Sequence, residues 1–476
     1  MNFFILTPLI FFSTSISLFF LYKHKYFLIN LTYISTFMLL IFSKYQSFVL
    51  GDYGRNIGIQ HVLEYENKLI LVFFFLLSFL TYTIFFLKKE KYFLMIFMIL
   101  NGAIINFFLS RDYFNIYVSL ELISMSLFLL VAFDREVKKV WASLKYMIFS
   151  SIALNFYLIA IAILYSNTGT LNLIENLSFE KPLFFHTFLI TSLLIKSGVF
   201  FLSGWVLDVQ THSVPGISAI LTGVVEKMGI WLIFLLYPTM NDGIKIYLTI
   251  FALITLFLSY LYLIFQKKIK KVFAVSTMSQ VSYGLLIIIF SRDLFVYFFI
   301  YHMITKGIIF ILIDKIFTEK NIIYIKNMKE KIIRYDTYLM MFILLFNLTG
   351  VYPSILYLLK KNIGYTLLLN SIIFLVGIFF GKIISHLHIT EKAKKMNKII
   401  IPLFSLVIII NLYLQSENIY ESLIGFIFFI FGFVIFKIFK EESFEKDISL
   451  FDFNKNLYYI YAFVLISMIF ELKGMI

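Results

Sequence analysis

The chain has 476 residues, 61% of them hydrophobic, 20% aromatic and only 14% charged, with a mean hydropathy of +0.92. A soluble core cannot hide that much apolar surface, which excludes a water-soluble enzyme. The net charge of +14 is spread over short loops without a long basic arm, and there is no cysteine, so nucleic-acid binding, disulfides, thiolate zinc sites and iron–sulfur clusters are excluded as well.

Crossing a bilayer takes roughly 20 apolar residues. Such runs occur at 3–22, 26–43, 67–87, 92–110, 113–133, 140–165, 183–207 and 214–237. They continue at 244–265, 271–290, 294–317, 336–359, 364–385, 399–415, 421–439 and 456–472. The runs are continuous and not alternating, so they read as helices and not as barrel strands. The expectation is an all-α polytopic membrane protein with about 14–16 transmembrane helices. The first run has no basic residue before it and exceeds a signal-peptide core, so it is expected to be kept as a helix. A bis-histidine haem is not expected, because of the seven histidines only His302 lies well inside a run.

Lys and Arg are unevenly shared among the loops. Those after odd-numbered runs, run ends included, hold 26, and those after even-numbered runs hold 8. Clusters stand at Lys88-Lys89-Glu90-Lys91, at Lys267-Lys268 with Lys270-Lys271, and at Lys392 with Lys394-Lys395. Basic loops stay on the cytoplasmic side, so residues 267–271 and 319–334 are expected there and both termini on the other side.

Seven lysines remain at or near membrane depth: Lys145, Lys196, Lys227, Lys306, Lys360, Lys361 and Lys382, accompanied by Glu121 and Glu226. A charge at a helix centre costs about 2.5–3.5 kcal/mol on insertion scales, so each calls for a reason. Lys361 and Lys382 lie near run ends and reach the headgroups by snorkelling; for Lys145 snorkelling and a polar role stay equally open. Lys196, Lys227, Lys306 and Glu121 lie too deep for that and mark a polar pathway. Lysine is the informative choice: burial brings its pKa towards neutrality and lets it exchange a proton, whereas arginine stays charged.

Six ordered segments carry a resemblance. Run 5 reads Tyr117-Val-Ser-Leu-Glu121-Leu-Ile-Ser-Met-Ser, and run 7 reads Lys196-Ser-Gly-Val-Phe-Phe-Leu-Ser203-Gly-Trp205-Val-Leu-Asp208. Then come Pro215-Gly-Ile-Ser218 through Glu226-Lys227-Met-Gly229, and Phe273-Ala-Val-Ser276-Thr277-Met-Ser279-Gln280-Val-Ser-Tyr283-Gly284. His302-Met-Ile-Thr-Lys306-Gly-Ile-Ile-Phe310 and Gly350-Val-Tyr-Pro353 leading to Lys360 complete the set. In order and spacing they resemble the antiporter-like proton-channel subunits shared by respiratory complex I, Mrp-type cation/proton antiporters and membrane-bound hydrogenases. The resemblance spans residues 92–385.

It implies two inverted five-helix repeats, each with a broken helix. Residues 1–91 would form N-terminal transmembrane helices, 92–237 the first repeat, 244–387 the second, and 397–476 further C-terminal helices. Run 7 is indeed weakened at Ser197-Gly198 and Ser203-Gly204, and run 12 at Thr349-Gly350 and Pro353. Interrupted segments in corresponding halves point to an ion site, while simple kinks are the plainer alternative.

The resemblance also implies roles. Glu121 matches the glutamate that pairs with the broken-helix lysine, Lys196. Lys227 matches the lysine connecting the half-channels. His302 and Lys306, four apart on one helix face, match paired relay residues, and Lys360 matches the terminal lysine of the second half. The chain departs from the family where Ser203 replaces a usual histidine, and Phe201 and Leu207 replace prolines. A serine passes a proton along a wire but has no useful acid–base pKa. Glu226 stands where the family tends to be apolar; it points about 100° away from Lys227 around a helix, towards a different partner. Asp314 occupies a position that is often glycine, near the cytoplasmic edge.

The function so implied is proton transfer along Glu121, Lys196, Lys227, His302 with Lys306, and Lys360. The energy must come from outside the chain, which has no P-loop, dinucleotide fingerprint or redox centre. The expected setting is a membrane subunit of a redox-driven pump in the cell (inner) membrane, an NADH or ferredoxin:quinone oxidoreductase or a hydrogenase. Its partners are other membrane subunits, its ions protons or Na+, with no cofactor or metal in this chain. The alternative is a subunit of a Mrp-type sodium/proton antiporter without redox chemistry. A stand-alone solute transporter is disfavoured, since the midplane carries single titratable residues and no substrate pocket.

Overall fold

The structure, a computed structural model, describes residues 3–55, 57–199 and 202–317, together with 323–325, 333–334, 341–345, 348, 376–377, 383 and 389–391. Among the described residues, 10 helices are long and apolar enough to cross a bilayer. The chain is an integral membrane protein of all-α type. Lys360, Lys361, Lys382, the Gly350–Pro353 break and the whole 397–476 segment lie outside the described residues. The described residues fall into two compact units, one of residues 3–198 and 202–247, the other of Val199 and the described residues from 248 to 391.

The first unit opens with α1 (Leu6–Phe20) and α2 (Lys25–Phe42), followed by a short antiparallel hairpin of β1 (Gln46–Val49) and β2 (Gln60–Leu63). Next come α3 (Tyr65–Thr81), α4 (Lys91–Leu109) and α5 (Tyr113–Val131). Side chains start α3 and α5 as the sequence dictates. Glu64 and Asn67 form a capping box on α3, and Asp112 accepts from the Asn115 amide at 2.7 Å to open α5. In this corner outside the spans, burial holds the His61 imidazole below its ordinary pKa, against the opposing pull of its bond to Asn106. Phe20, Phe27 and Phe42 are 76%, 67% and 78% exposed, a surface that only hydrocarbon tolerates.

Helix α6 (Val137–Thr168) has 32 residues, about 48 Å at 1.5 Å each, and ends on Gly169 in the left-handed region. After a single turn, α7 (Leu173–Asn176), run 7 appears as α8 (Phe185–Lys196) and α9 (Val206–His212), separated just after Lys196. Run 8 is likewise two pieces, α10 (Ile217–Gly223) and α11 (Met228–Leu236), joined by a 3₁₀ turn at Val225–Lys227. That second break differs from the continuous helix that the apolar run suggests. Its cause is local: Val224 leaves helical geometry at φ −126°, and the Thr222 and Gly223 carbonyls turn to the Lys227 ammonium.

The second unit contains most of α12 (Asp242–Phe265), then α13 (Ile269–Phe290) and α14 (Phe295–Leu312), continued by a π-turn at Ile313–Phe317. Two very short strands, β3 (Ile333–Arg334) and β4 (Ile389–Glu391), pair in parallel. Helices α13 and α14 are buried along nearly their whole lengths. The α13 hydroxyls cope with that by bonding to their own helix: Ser276 and Thr277 to the Phe273 carbonyl at 2.9 Å, and Ser282 to Met278 at 3.1 Å.

Candidate functional site

In the first unit the site grows around the end of α8. Lys196 is the last residue of the helix and 7% exposed. Its ammonium donates to Ser124 of α5 at 2.5 Å and to Ser150 of α6. Ser150 donates to Ser124 at 2.8 Å, and Ser124 to the Leu120 carbonyl, so the donors line up in one direction away from the lysine. Of the carbonyls released where α8 stops, that of Ile195 accepts from the Trp205 indole at 3.0 Å.

Two glycines make this packing possible. Gly198 turns the chain at φ +65°, where a Cβ would lie 2.3 Å from the Val206 side chain. Gly229 lets α11 start directly against the last turn of α8: a Cβ there would lie 2.2 Å from both the Leu193 carbonyl oxygen and the Ser197 hydroxyl. The breaks in α8 and in α10–α11 are thereby brought side by side. Lys227 is 1% exposed and donates to the Thr222 and Gly223 carbonyls at 2.5 and 2.7 Å. Its neighbour Glu226, also 1% exposed, accepts from the Gln210 side chain of α9.

Other expected residues lie differently. Glu121 is half-buried on α5 and acts on Lys196 electrostatically, but the direct contacts to the ammonium are the two serines. The expected ion pair is therefore not closed in this structure, because Ser124, one turn along the same helix, occupies the nearer position. Lys145 is partly exposed and pairs with Asp208 at 2.6 Å. Ser203 is fully buried near the start of α9.

In the second unit Lys306, 0% exposed in the middle of α14, donates to the Phe273 carbonyl at 3.0 Å and to the Ser276 hydroxyl, both on α13. His302 lies one turn earlier on the same face, its ring parallel to Phe298 at 5.8 Å. Asp314, buried after α14, pairs with Lys270 at the start of α13. Lys360 lies outside the described residues. Among the described residues no group of three or more His, Asp or Glu side chains is arranged to hold a metal ion.

Sequence reasoning did not single out Ser124, Ser150, Gln210 or Asp208 for a role. Ser143, Tyr146 and Ser150 do recur at helical spacing in the largely apolar run 6, a polar stripe that signals a lined interior.

Comparison with known proteins follows the same lines. Residues 110–385 match the family described as NADH:quinone oxidoreductase/Mrp antiporter, transmembrane. The chain is 28% identical over 219 residues to NADH-quinone oxidoreductase subunit N of Buchnera aphidicola subsp. Acyrthosiphon pisum, covering 43% of this chain and 45% of that one. It is 29% identical over 293 residues to subunit N of Thioalkalivibrio sulfidiphilus, covering 56% and 60%. Subunit M of Rickettsia prowazekii is 25% identical over 303 residues, covering 59% and 61%. The matched segments thus span about half of those relatives. In fold, the chain is similar to one of the membrane-bound sulfane sulfur reductase (MBS), an archaeal respiratory membrane complex, with a TM-score of 0.78 and 18% identity over 92% of this chain and 99% of that one.

Proposed function

The chain belongs to the NADH:quinone oxidoreductase/Mrp antiporter transmembrane family, and from that membership we propose that it is a proton-translocating, antiporter-like subunit of a redox-driven membrane pump. One observation carries the reading. Lys196, Lys227 and Lys306 are all buried, and each ammonium donates to hydroxyl or backbone carbonyl oxygens. These hydrogen bonds favour the charged ammonium while burial favours the neutral amine, so the two protonation states are balanced against each other. Such a lysine is suited to exchange protons.

Protons pass in this reading from Glu121 to Lys196 and Lys227, then to His302 with Lys306, and on to Lys360. Glu121 acts as the gate. Its approach to Lys196 favours the ammonium, and its withdrawal favours release of the proton inward. Other membrane subunits supply the energy and move that gate. Relatives that are subunits N and M of NADH-quinone oxidoreductases favour this setting over a Mrp-type antiporter. The protein would sit in the inner membrane with both termini away from the cytoplasm, which the basic 88–91 and 267–271 loops support.

The test is Lys196→Ala in the assembled complex. Redox-driven proton uptake by membrane vesicles, normalised to assembled protein, should fall at least about tenfold, as for loss of a general acid–base group. Unchanged uptake would refute the role. Because the chain has no cysteine, single cysteines at exposed Lys88 and Leu177 test orientation: an impermeant thiol reagent outside intact cells should label position 177 and spare 88, and the reverse would overturn the topology.

A further inference from the structure

The turns before α2 and after α3, helix starts included, hold Lys23, Lys25, Lys88, Lys89 and Lys91 against a single carboxylate, Glu90. The two turns are tied together. The Tyr22 hydroxyl donates to the Lys89 carbonyl at 2.9 Å, and the Lys25 ammonium donates to the Tyr22 hydroxyl at 2.9 Å and to the same carbonyl at 3.4 Å. Lys89 has a carboxylate partner in Asp134 at 3.7 Å. Among the described residues Lys23, Lys25, Lys88 and Lys91 have none, so unmatched positive charge collects at one end of α2 and α3.

Inward of that charge, α2 and α3 leave a groove of about 170 Å³, lined by Tyr33, Ile34 and Phe37 of α2 and by Phe75, Leu76 and Phe79 of α3. Its floor is buried and its rim open: Tyr33 and Phe75 are 4% and 2% exposed, Ile34 59%. The Tyr33 hydroxyl, the one polar side-chain atom in this lining, is taken by Ser78 at 2.7 Å, which leaves only hydrocarbon and ring faces to an occupant. Between the lysines and the groove stands Asn30, exposed on α2 and, by helical spacing, on the same face as Tyr26, Tyr33 and Phe37. Its amide makes no hydrogen bond among the described residues, and an amide left unpaired against hydrocarbon is costly.

The depths match one kind of molecule. At 1.5 Å per residue, Asn30 lies about 7.5 Å inward of Lys25, and Tyr33 to Phe37 lie about 12–18 Å inward. A bilayer's headgroup region is about 5–8 Å thick on each side. The lysines therefore stand at phosphate level, Asn30 at the level of the glycerol esters and the groove beside an acyl chain. We propose that this is a binding site for an anionic phospholipid: Lys25 and Lys88 hold the phosphate, the Asn30 amide donates to an ester carbonyl, and one acyl chain fills the groove. So small a groove takes a slender chain and not a helix about 10–12 Å across, and clustered lysines at a membrane surface favour an anionic headgroup. The site is independent of the proton path.

The test places the assembled complex in phosphatidylcholine nanodiscs with a trace of phosphatidylglycerol that carries a diazirine in its acyl chain. On illumination the probe should cross-link to residues 33–37 and 75–79, and the same probe with a choline headgroup should label them at least about tenfold less. Unlabelled phosphatidylglycerol should compete, and inorganic phosphate should not. Lys25→Gln with Lys88→Gln should cut labelling at least about tenfold. Ile34→Trp, which fills the groove from its exposed rim, should abolish it with the lysines intact. Equal labelling by the two probes would reduce the groove to an ordinary lipid contact. Competition by inorganic phosphate would assign the lysines to a free anion, and absence of labelling because another subunit covers both segments would assign the groove to a protein; each of these results overturns the proposal. If the double lysine variant fails to assemble, the mapping and competition in the wild-type complex decide alone.

Discussion

Lys196 sits where α8 stops and takes two serine hydroxyls from two different helices, whereas Lys306 sits in the middle of α14, which runs on unbroken, and takes a carbonyl and a hydroxyl from α13. The first arrangement has carboxylates nearby, Glu121 on α5 and Glu226 at the adjoining break. Among the described residues the second has a buried histidine one turn away on its own helix. The difference teaches that a buried ammonium needs neutral acceptors in either case, but that a helix break brings in extra backbone carbonyls and side chains from several helices. A site assembled from several helices can open and close as they shift.

The largest expected effect comes from closing the gap between the two breaks. Gly229→Ala places a Cβ against a backbone carbonyl that has little room to yield, and overpacking of this kind costs about 1–3 kcal/mol or more. Assembled protein, read on native gels, should drop sharply. Normal assembly of Gly229→Ala would mean that the close approach of α8 and α11 is not needed.

A middle-sized effect separates the two cradles. Ser124→Ala with Ser150→Ala removes both hydroxyl acceptors of Lys196, each bond to a charged group being worth about 1.5–3 kcal/mol. Ser276→Ala leaves Lys306 the Phe273 carbonyl. Proton uptake should therefore fall about tenfold or more in the double variant, since about 1.4 kcal/mol is a factor of ten, and clearly less in Ser276→Ala. Equal losses would erase the distinction between the cradles.

The smallest effect belongs to Lys145. Its pair with Asp208 is partly exposed on both sides, at 31% and 27%, and such pairs contribute only about 0–1 kcal/mol. Lys145→Ala should leave assembly and uptake within about twofold, on the same scale. A loss as large as that of Lys196→Ala would show that charge near the break matters as much as burial.

Legibility differs between the charges and what surrounds them. A lysine inside a run of apolar residues stands out in any sequence, and so do Ser197-Gly198 and the Gly-rich stretch around Lys227, because burial of a charge and release of backbone groups are both costly. What holds the charge is far less visible. Ser150 and Ser124 lie 46 and 72 residues from Lys196, and a serine in an apolar run reads equally as a helix residue bonding its own backbone. The break before Lys227 was hidden for a related reason: Thr222, Gly223 and Val224 are apolar enough to continue a span, and only the three-dimensional approach of the ammonium to two carbonyls separates α10 from α11. The direct Glu121–Lys196 pair, expected from the family resemblance, depends on side-chain positions that one turn of α5 decides.

Lys227→Arg and Lys306→Arg put the central claim to its most direct test. Arginine keeps the charge and much of the length of lysine, but with a pKa above about 12 it cannot release a proton near neutral pH. Redox-driven proton uptake by vesicles, normalised to assembled complex, is the quantity to measure. Both variants should assemble and lose most of their uptake; wild-type rates from both would contradict the account, because the buried lysines would then be a scaffold and the protons would travel elsewhere.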